Sequence, residues 1–482
     1  MKKLIALTLA LAALFSFTAC ANTTEPTVTD TFVTTNHTEE STAFFPDVKK
    51  QDYQGETFRM IGFTEEGEWY YAEELSNGEG AIHVLNDTIY EMNTLVEEHL
   101  GVELAYERAI EVRGSEIFDA VKPTIMSGDD EYQLCILHPF YSYNSFISQG
   151  YVTDFYELTD LDLEQSYWNL DVMKALEVNG HAYIGLGDIC RYNVHVLFGN
   201  KDMLTKVNRP VPYDTIRNGE WTLDMFLSMT AELYSDNGDG QKNNQDTYGF
   251  AGLWDANGTA FMQGSGIYVV TRNAEDAFEL SLYGERLVSM YDKLYNWTKS
   301  DSTYIWDFAS RENPDIAIDF LDSHAYFTLD SLDTKYLEAD FDLAIIPIPK
   351  YDTAQENYAH VNWGNNIVVP SSVQNKDMVG QVLELMGFYS ETLVQQKYYD
   401  DVLQLRVSEA PDDRDMVELI YDTIVYDPGI AFCDGQQELT NLVYLPCFGI
   451  RQNIESIASY YQRNERGAKS TLKRLFKTRE RS

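Results

Sequence analysis

Apolar positions along this chain follow two alternating rhythms. Thr57–Phe63, reading TFRMIGF, is a short apolar run with the look of a strand. Val84–Leu100 carries Leu85, Ile89, Met92, Leu95, Val96 and His99 near one face of a helix, which Gly101 ends. Val102–Tyr106 predicts a second strand, Ile117–Met126 a helix and Tyr132–Leu137 a third strand. Further on, Thr222 is a candidate N-cap for a helix with Leu223, Phe226, Leu227, Met229 and Leu233 on its apolar face. A strand near Ile267–Val270 and a helix over Leu280–Asn296 follow, then strands at Ala325–Leu329 and Phe341–Pro349. Helices are predicted over Lys376–Asp400, Asp412–Tyr426 and Ile450–Gln462. Strands alternating with helices imply an α/β fold, a mostly parallel sheet covered on both faces. Such sheets bind ligands beyond the carboxyl ends of their strands, so the loops after Phe63 and Leu137 become the ones to examine.

Length and charge narrow the field. The 482 residues, 44% hydrophobic and 13% aromatic, suffice for two large domains. A formal charge of −42 excludes a nucleic-acid partner, because phosphate neutralisation needs a basic surface. It suits a protein kept soluble at a cell surface by self-repulsion. Lys2 and Lys3, the apolar run Leu4–Phe17 and Thr18-Ala19 before Cys20 read as a signal peptide over 1–19. Small residues directly before Cys20 resemble a bacterial lipobox, which implies lipidation of Cys20 (a palmitate-type acylation), although Phe17 departs from the usual aliphatic residue. Residues 20–50, rich in Thr, Glu, Pro and Asn, predict a disordered tether, with folded structure beginning near Gly55. Of the other cysteines, Cys433 and Cys447 are the nearest pair for a disulfide, beside the alternative that Cys135, Cys190, Cys433 and Cys447 are buried thiols. Residues 463–482 reverse the charge. A basic helical end suits anionic lipid, and a helix packed on its own acidic body is the alternative.

Three segments stand in a telling order: Gly199-Asn200-Lys201-Asp202-Met203-Leu204, then Trp221-Thr222-Leu223-Asp224-Met225-Phe226, then Asn237-Gly238-Asp239-Gly240 through Asp246-Thr247-Tyr248-Gly249. This order resembles the extracellular solute-binding proteins of ABC importers, the sugar-binding branch (family 1). The resemblance covers the chain from about Gly55 onward. It implies a two-lobed, periplasmic-binding-protein-like (type II) α/β fold with a ligand cleft between lobes. The expected partition is 51–188 with 326–362 as lobe 1, 189–325 with 363–462 as lobe 2, and 463–482 as a basic tail. Gly180–Tyr192 reads as the strand crossing between lobes, Ala325–Leu329 as the return. The resemblance further implies a monomer on the outer face of the bacterial cytoplasmic membrane, lipid-anchored, that delivers an oligosaccharide or other small solute to permease transmembrane subunits. It requires no cofactor and performs no chemistry. Cleft-lining positions in the family correspond to Glu65, Trp69, His138, Tyr141, Asp188, Arg191, Trp254, Asp255, Asp330, Trp363 and Asn365. Aromatic rings would take the apolar faces of a sugar, and carboxylates, amides and guanidinium its hydroxyls. For each, a structural role is the alternative; Trp363 is either cleft floor or core.

The acidic loop also fits a calcium-loop template. Gly240 falls at the sharp turn, and Ser235, Asn237, Asp239, the Gln241 carbonyl, Asn243 and Asp246 fall at the ligating positions. Ser at the first position and Asp at the last depart from it, and an Asx-rich turn needing no ion is the other reading. Two rival functions remain: a surface glycan receptor without a transport role, and a secreted glycoside hydrolase, for which a carboxylate pair would be needed. No nucleophile-elbow, metalloprotease or P-loop motif supports catalysis. His181, His195, His324 and His360 are scattered and read as structural.

Overall fold

The computed structural model describes residues 44–62, 85–108, 115–138, 143–190, 192–253, 257–306, 313, 315–332, 336, 339–398 and 411–477. The chain opens with strands Glu56–Gly62 (β1), Val102–Arg108 (β2) and Leu134–Leu137 (β3), with helices Asn86–Leu100 and Ser115–Ser127 between them. It continues through His195–Asn200 (β4), Tyr248–Leu253 (β5), the hairpin Val270–Arg272 (β6) and Phe278–Leu280 (β7), Thr303–Trp306 (β8), Ala325–Ser331 (β9) and Leu343–Ile346 (β10). Three short strands follow: His360–Val361 (β11), Asn366–Val368 (β12) and Ile424–Val425 (β13).

Two larger sheets organise nine of these strands, with β11-β13 and β6-β7 as two-stranded pairs. The first has the order β12-β3-β1-β2, the second β10-β4-β9-β5-β8. In each, all strands run parallel except one: β12 opposes β3, and β4 opposes both β9 and β10. The buried runs Leu134–Leu137 and Leu343–Ile346 are what strands covered on both faces require.

Local signals account for many boundaries. Gly101 adopts φ 62 and returns its N–H to the Glu97 carbonyl at 2.8 Å, closing the first helix. A Cβ there would meet Asp52 Oδ1 at 2.5 Å, so the turn also needs the missing side chain. Asn200 caps the helix Lys201–Lys206 by accepting from Met203 N–H, and Thr222 caps Leu223–Thr230 by accepting from Met225 N–H.

β9, from Ala325, and β10 both pair with β4 in the second sheet, and β12 pairs with β3 in the first. A strand's existence shows in its pattern; its partner is a non-local choice that the pattern does not encode. Gly180–Tyr192 is no continuous strand but a series of isolated bridges, including Trp168 to Gly187 and Gly185 to Ile367. The backbone passes so close there that a Cβ at Gly187 would lie 2.1 Å from the Tyr167 carbonyl oxygen. The fold also begins before Gly55: Val48 is buried, its carbonyl accepts from His99 Nε2 at 2.9 Å, and Phe45 sits against Phe388.

The helix from Lys376 does run on to Tyr398, through a π-turn at Ser390–Gln395. The helix expected over Ile450–Gln462 is two helices, Leu445–Arg451 and Ala458–Lys477, interrupted where Asn453 takes φ 52. The basic tail is therefore no separate segment. Its residues continue the last helix, which buries Tyr460, Tyr461, Ala468, Leu472 and Leu475. Cys135, Cys190, Cys433 and Cys447 are all buried thiols, so the Cys433–Cys447 disulfide does not form.

Candidate functional site

The chain passes between the sheets at 188–194 and at 362–366, and these two crossings lie side by side. Trp363 N–H donates to the Asn193 carbonyl at 2.7 Å, and Asn193 N–H donates to Asn362 Oδ1 at 2.9 Å. Asn362 Oδ1 also accepts from Gly364 N–H, while its Nδ2 donates to Tyr426 Oη at 2.8 Å. One buried amide thus pins both crossings and fixes where the next side chain goes.

That side chain is Trp363, only 4% exposed. Its indole lies near-parallel to the His138 ring on one side (6.3 Å between centroids, 10°) and to Tyr444 on the other (6.2 Å, 19°). His195 leans against it at 6.1 Å and 37°. His138 follows β3 of the first sheet, His195 opens β4 of the second, and Tyr444 sits between two C-terminal helices. Side chains from both sheets therefore meet on one ring. Among the described residues, neither the Trp363 Nε1 nor the His195 Nδ1 has a hydrogen-bond partner. A buried donor left so is costly, and a ligand hydroxyl would satisfy it.

Electrostatically the cluster is neutral. Burial pushes His138 down to about 3, with His195 adding to the effect, and pushes His195 down to about 4, against a pull from Asp330. Asp188 is buried beside the first crossing. Burial, then the Glu391 charge, raise its carboxyl well above the usual range. Gln395, in the π-turn, donates to the Asp188 carbonyl at 3.1 Å and ties that helix to the crossing. Asp330 is the penultimate residue of β9, where it accepts from Tyr336 Oη at 2.6 Å and from Ser331 N–H at 2.8 Å. Aromatic faces with neutral donors suit a polar, uncharged solute.

Of the sequence candidates, the structure brings His138 and Trp363 into contact and sets Asn365 buried two residues on. Asp188 and Asp330 adjoin the crossings without touching the indole sandwich through any contact described above. Glu65, Trp69, Tyr141, Arg191, Trp254, Asp255 and Cys20 lie outside the described residues. The sequence reading did not single out Tyr444 and took His195 as structural; both rings pack on Trp363. His195 had a signal, a polar residue opening the apolar strand VLFGN. Tyr444 had none, since only tertiary packing brings it to Trp363.

The acidic loop is built differently from the template. Ser235, the expected first ligand, exchanges backbone hydrogen bonds with Thr247. The carboxylates that converge, with ligand atoms within 4.8 Å of one another, are Asp236, Asp239 and Asp246. Asp246 is buried and accepts from Asn237 N–H, Asn243 N–H, Tyr234 Oη and Tyr248 Oη. Burial opposes its ionisation, but these four donors outweigh it and hold the carboxyl below its usual range. The Gln241 carbonyl accepts from Asn243 Nδ2. Three converging carboxylates form a hard oxygen donor set of the kind calcium takes.

The same architecture recurs in solved structures. The galacto-N-biose/lacto-N-biose I-binding protein of an ABC transporter from Bifidobacterium longum, in complex with lacto-N-biose, superposes with a TM-score of 0.57 at 12% identity, over 88% of this chain and 98% of that one. The maltose/maltodextrin-binding domain MalE from Bdellovibrio bacteriovorus, bound to maltotriose, gives 0.54 at 14% identity, over 86% and 100%. The chain has the two-lobed type II periplasmic-binding-protein fold. An ABC substrate-binding protein from Listeria monocytogenes in complex with cycloalternan shares it too, at 0.53 and 14% identity, over 88% and 99%. All three are binding proteins. No family model matches the chain, and no curated protein sequence matches it. Among the described residues, no helix is long and apolar enough to cross a membrane.

Proposed function

We propose that this protein binds a neutral sugar, an oligosaccharide of the kind held by its structural neighbours, and hands it to the permease subunits of an ABC importer without chemical change. One observation carries the reading: Trp363 lies where both crossings meet, flanked by rings contributed from both sheets, with its N–H unpartnered. A sugar offers an apolar face for such a ring and hydroxyls for such a donor. We take the lobes to comprise the strands of the first and second sheets respectively, closing on the ligand by a hinge at the crossings. Asp188, Asp330 and Asn365, with Glu65, Trp69, Tyr141, Arg191, Trp254 and Asp255, are proposed to complete the lining. We further propose a monomer, exported by the 1–19 leader and anchored through lipidated Cys20 on the outer face of the membrane. Calcium is proposed for the loop 236–246, on the carboxylates of Asp236, Asp239 and Asp246 rather than on Ser235.

A melting screen against a glycan library tests the central reading, because a ligand that binds only the native state raises Tm by mass action. The expected result is a shift with one class of oligosaccharide and no release of reducing ends. A shift with peptides or amino acids alone rejects the sugar, and turnover of the bound glycan rejects the transport role.

A further inference from the structure

The helix Ala458–Lys477 divides its residues cleanly. One side buries Tyr460, Tyr461, Ala468, Leu472 and Leu475 against the body. The other side exposes Arg463, Arg466, Lys469 and Lys473, spaced three, three and four positions apart and therefore on one face. In a chain with 77 acidic residues against 35 basic ones, exposed cations would be expected to find carboxylates. These barely do. Lys469 pairs with Glu465, its own neighbour one turn back, at 2.6 Å. Arg463 lies over the Tyr460 ring at 5.3 Å. Arg463, Arg466 and Lys473 make no ion pair among the described residues. No apolar side chain is exposed between Ala458 and Leu475, so this face can be met by charge and not by insertion.

We propose that this face is a docking surface for an anionic lipid bilayer. The packed face fixes the helix rigidly, so the cations stand outward as a set and not as a flexible tail. Charge complementarity selects the partner: a surface of acidic headgroups concentrates anions in a plane, which a linear row of four cations can meet at once. The rest of the molecule, strongly acidic in a chain of formal charge −42, is repelled by the same surface, so the row also selects which side of the protein turns toward the membrane. The contact is electrostatic and must weaken as salt screens it.

Vesicle co-sedimentation of the full chain tests this, comparing pure phosphatidylcholine with mixtures containing about one-third phosphatidylglycerol. The reference protein and a variant carrying Arg463→Gln, Arg466→Gln, Lys469→Gln and Lys473→Gln share the same leader and Cys20, so any contribution from these cancels. The expected result is preferential binding of the reference protein to the anionic vesicles. It should fall by about tenfold between about 50 and about 300 mM salt. It should be lost in the glutamine variant and kept when Arg463→Lys and Arg466→Lys are made instead. All four side chains are exposed, so an unchanged Tm should accompany the loss. Exclusion of the reference protein from anionic vesicles, or equal binding by the glutamine variant, overturns the proposal. So does a sedimentation experiment in which the substitutions abolish self-association and leave vesicle binding intact, which would assign the row to the acidic surface of a second copy.

Discussion

Two residues show how burial sets chemistry here. Trp363 offers the sharper test. Phenylalanine keeps a ring between His138 and Tyr444 but removes the unpartnered N–H. Trp363→Phe should cost the fold about 1–2 kcal/mol for lost packing. It should weaken sugar binding by about 1–3 kcal/mol, the range for a buried donor deprived of its bond. Calorimetric titration beside an apo melt separates the two, and unchanged affinity would mean that the indole N–H is not aimed at ligand. His360 is the second. Its Nε2 accepts from Ile348 N–H at 3.0 Å, so its Nδ1 carries the proton and donates to Thr423 Oγ1. Burial lowers its folded-state value to about 3 from the ordinary 6.5, as with His138 and His195. A depressed histidine leaves the unfolded chain holding the proton first. Its stabilisation is therefore full above about pH 6.5 and is lost as pH falls from there toward 3, by up to about 1.4 kcal/mol per pH unit. Buried Asp427 works oppositely, raised by burial, but does so equally in parent and variant. Urea unfolding of His360→Gln and its parent from pH 7 to about pH 4 should show a shallower acid decline in the variant. Parallel declines would show that His360 does not titrate across folding.

At the scale of elements, local punctuation was legible and pairing was not. Gly101 and Thr222 act through bonds within a few residues, and each terminates or starts its helix as the sequence reads. The crossings are held by contacts over far larger separations, such as Asn193 to Asn362, and no periodicity announces those. Half of the candidate site shares that difficulty: His138 follows a legible strand, whereas Tyr444 reaches Trp363 only through packing of the C-terminal helices. The acidic loop lies between these cases. Its turn chemistry is readable, but the convergence of Asp236 with Asp239 and Asp246 shows only in the folded loop. Binding of calcium there should raise Tm by a few degrees at ligand well above Kd, reversed by chelator. A flat response up to about 10 mM, far above the weakest extracellular calcium sites, would mean that the hydrogen bonds around Asp246 hold the loop alone.

For the whole molecule, the striking asymmetry is between charge and cross-linking. A chain destined for export, by the proposed reading, holds four buried cysteines that form no disulfide among the described residues. Burial drives Cys135 and Cys433 far above the ordinary thiol range, so neither is a ready thiolate. Reductant should therefore leave Tm unchanged to within about 1 °C, since no loop closure would be lost. A larger fall would reveal a disulfide that the geometry does not contain. Stability rests instead on two sheets with their helices, and on a last helix whose apolar face is buried and whose basic face is not.

The ring sandwich has an optical consequence. An indole enclosed by two imidazoles and a phenol, away from water, should emit at short wavelength, and its yield should be sensitive to whatever contacts its N–H. With 7 tryptophans the signal of one is diluted but separable, by subtracting the spectrum of Trp363→Phe from that of the parent. The difference spectrum, which reports Trp363, should move on adding sugar. The protein thus carries its own dye at the junction of its lobes, and stopped-flow emission could time the closing of the cleft without a label.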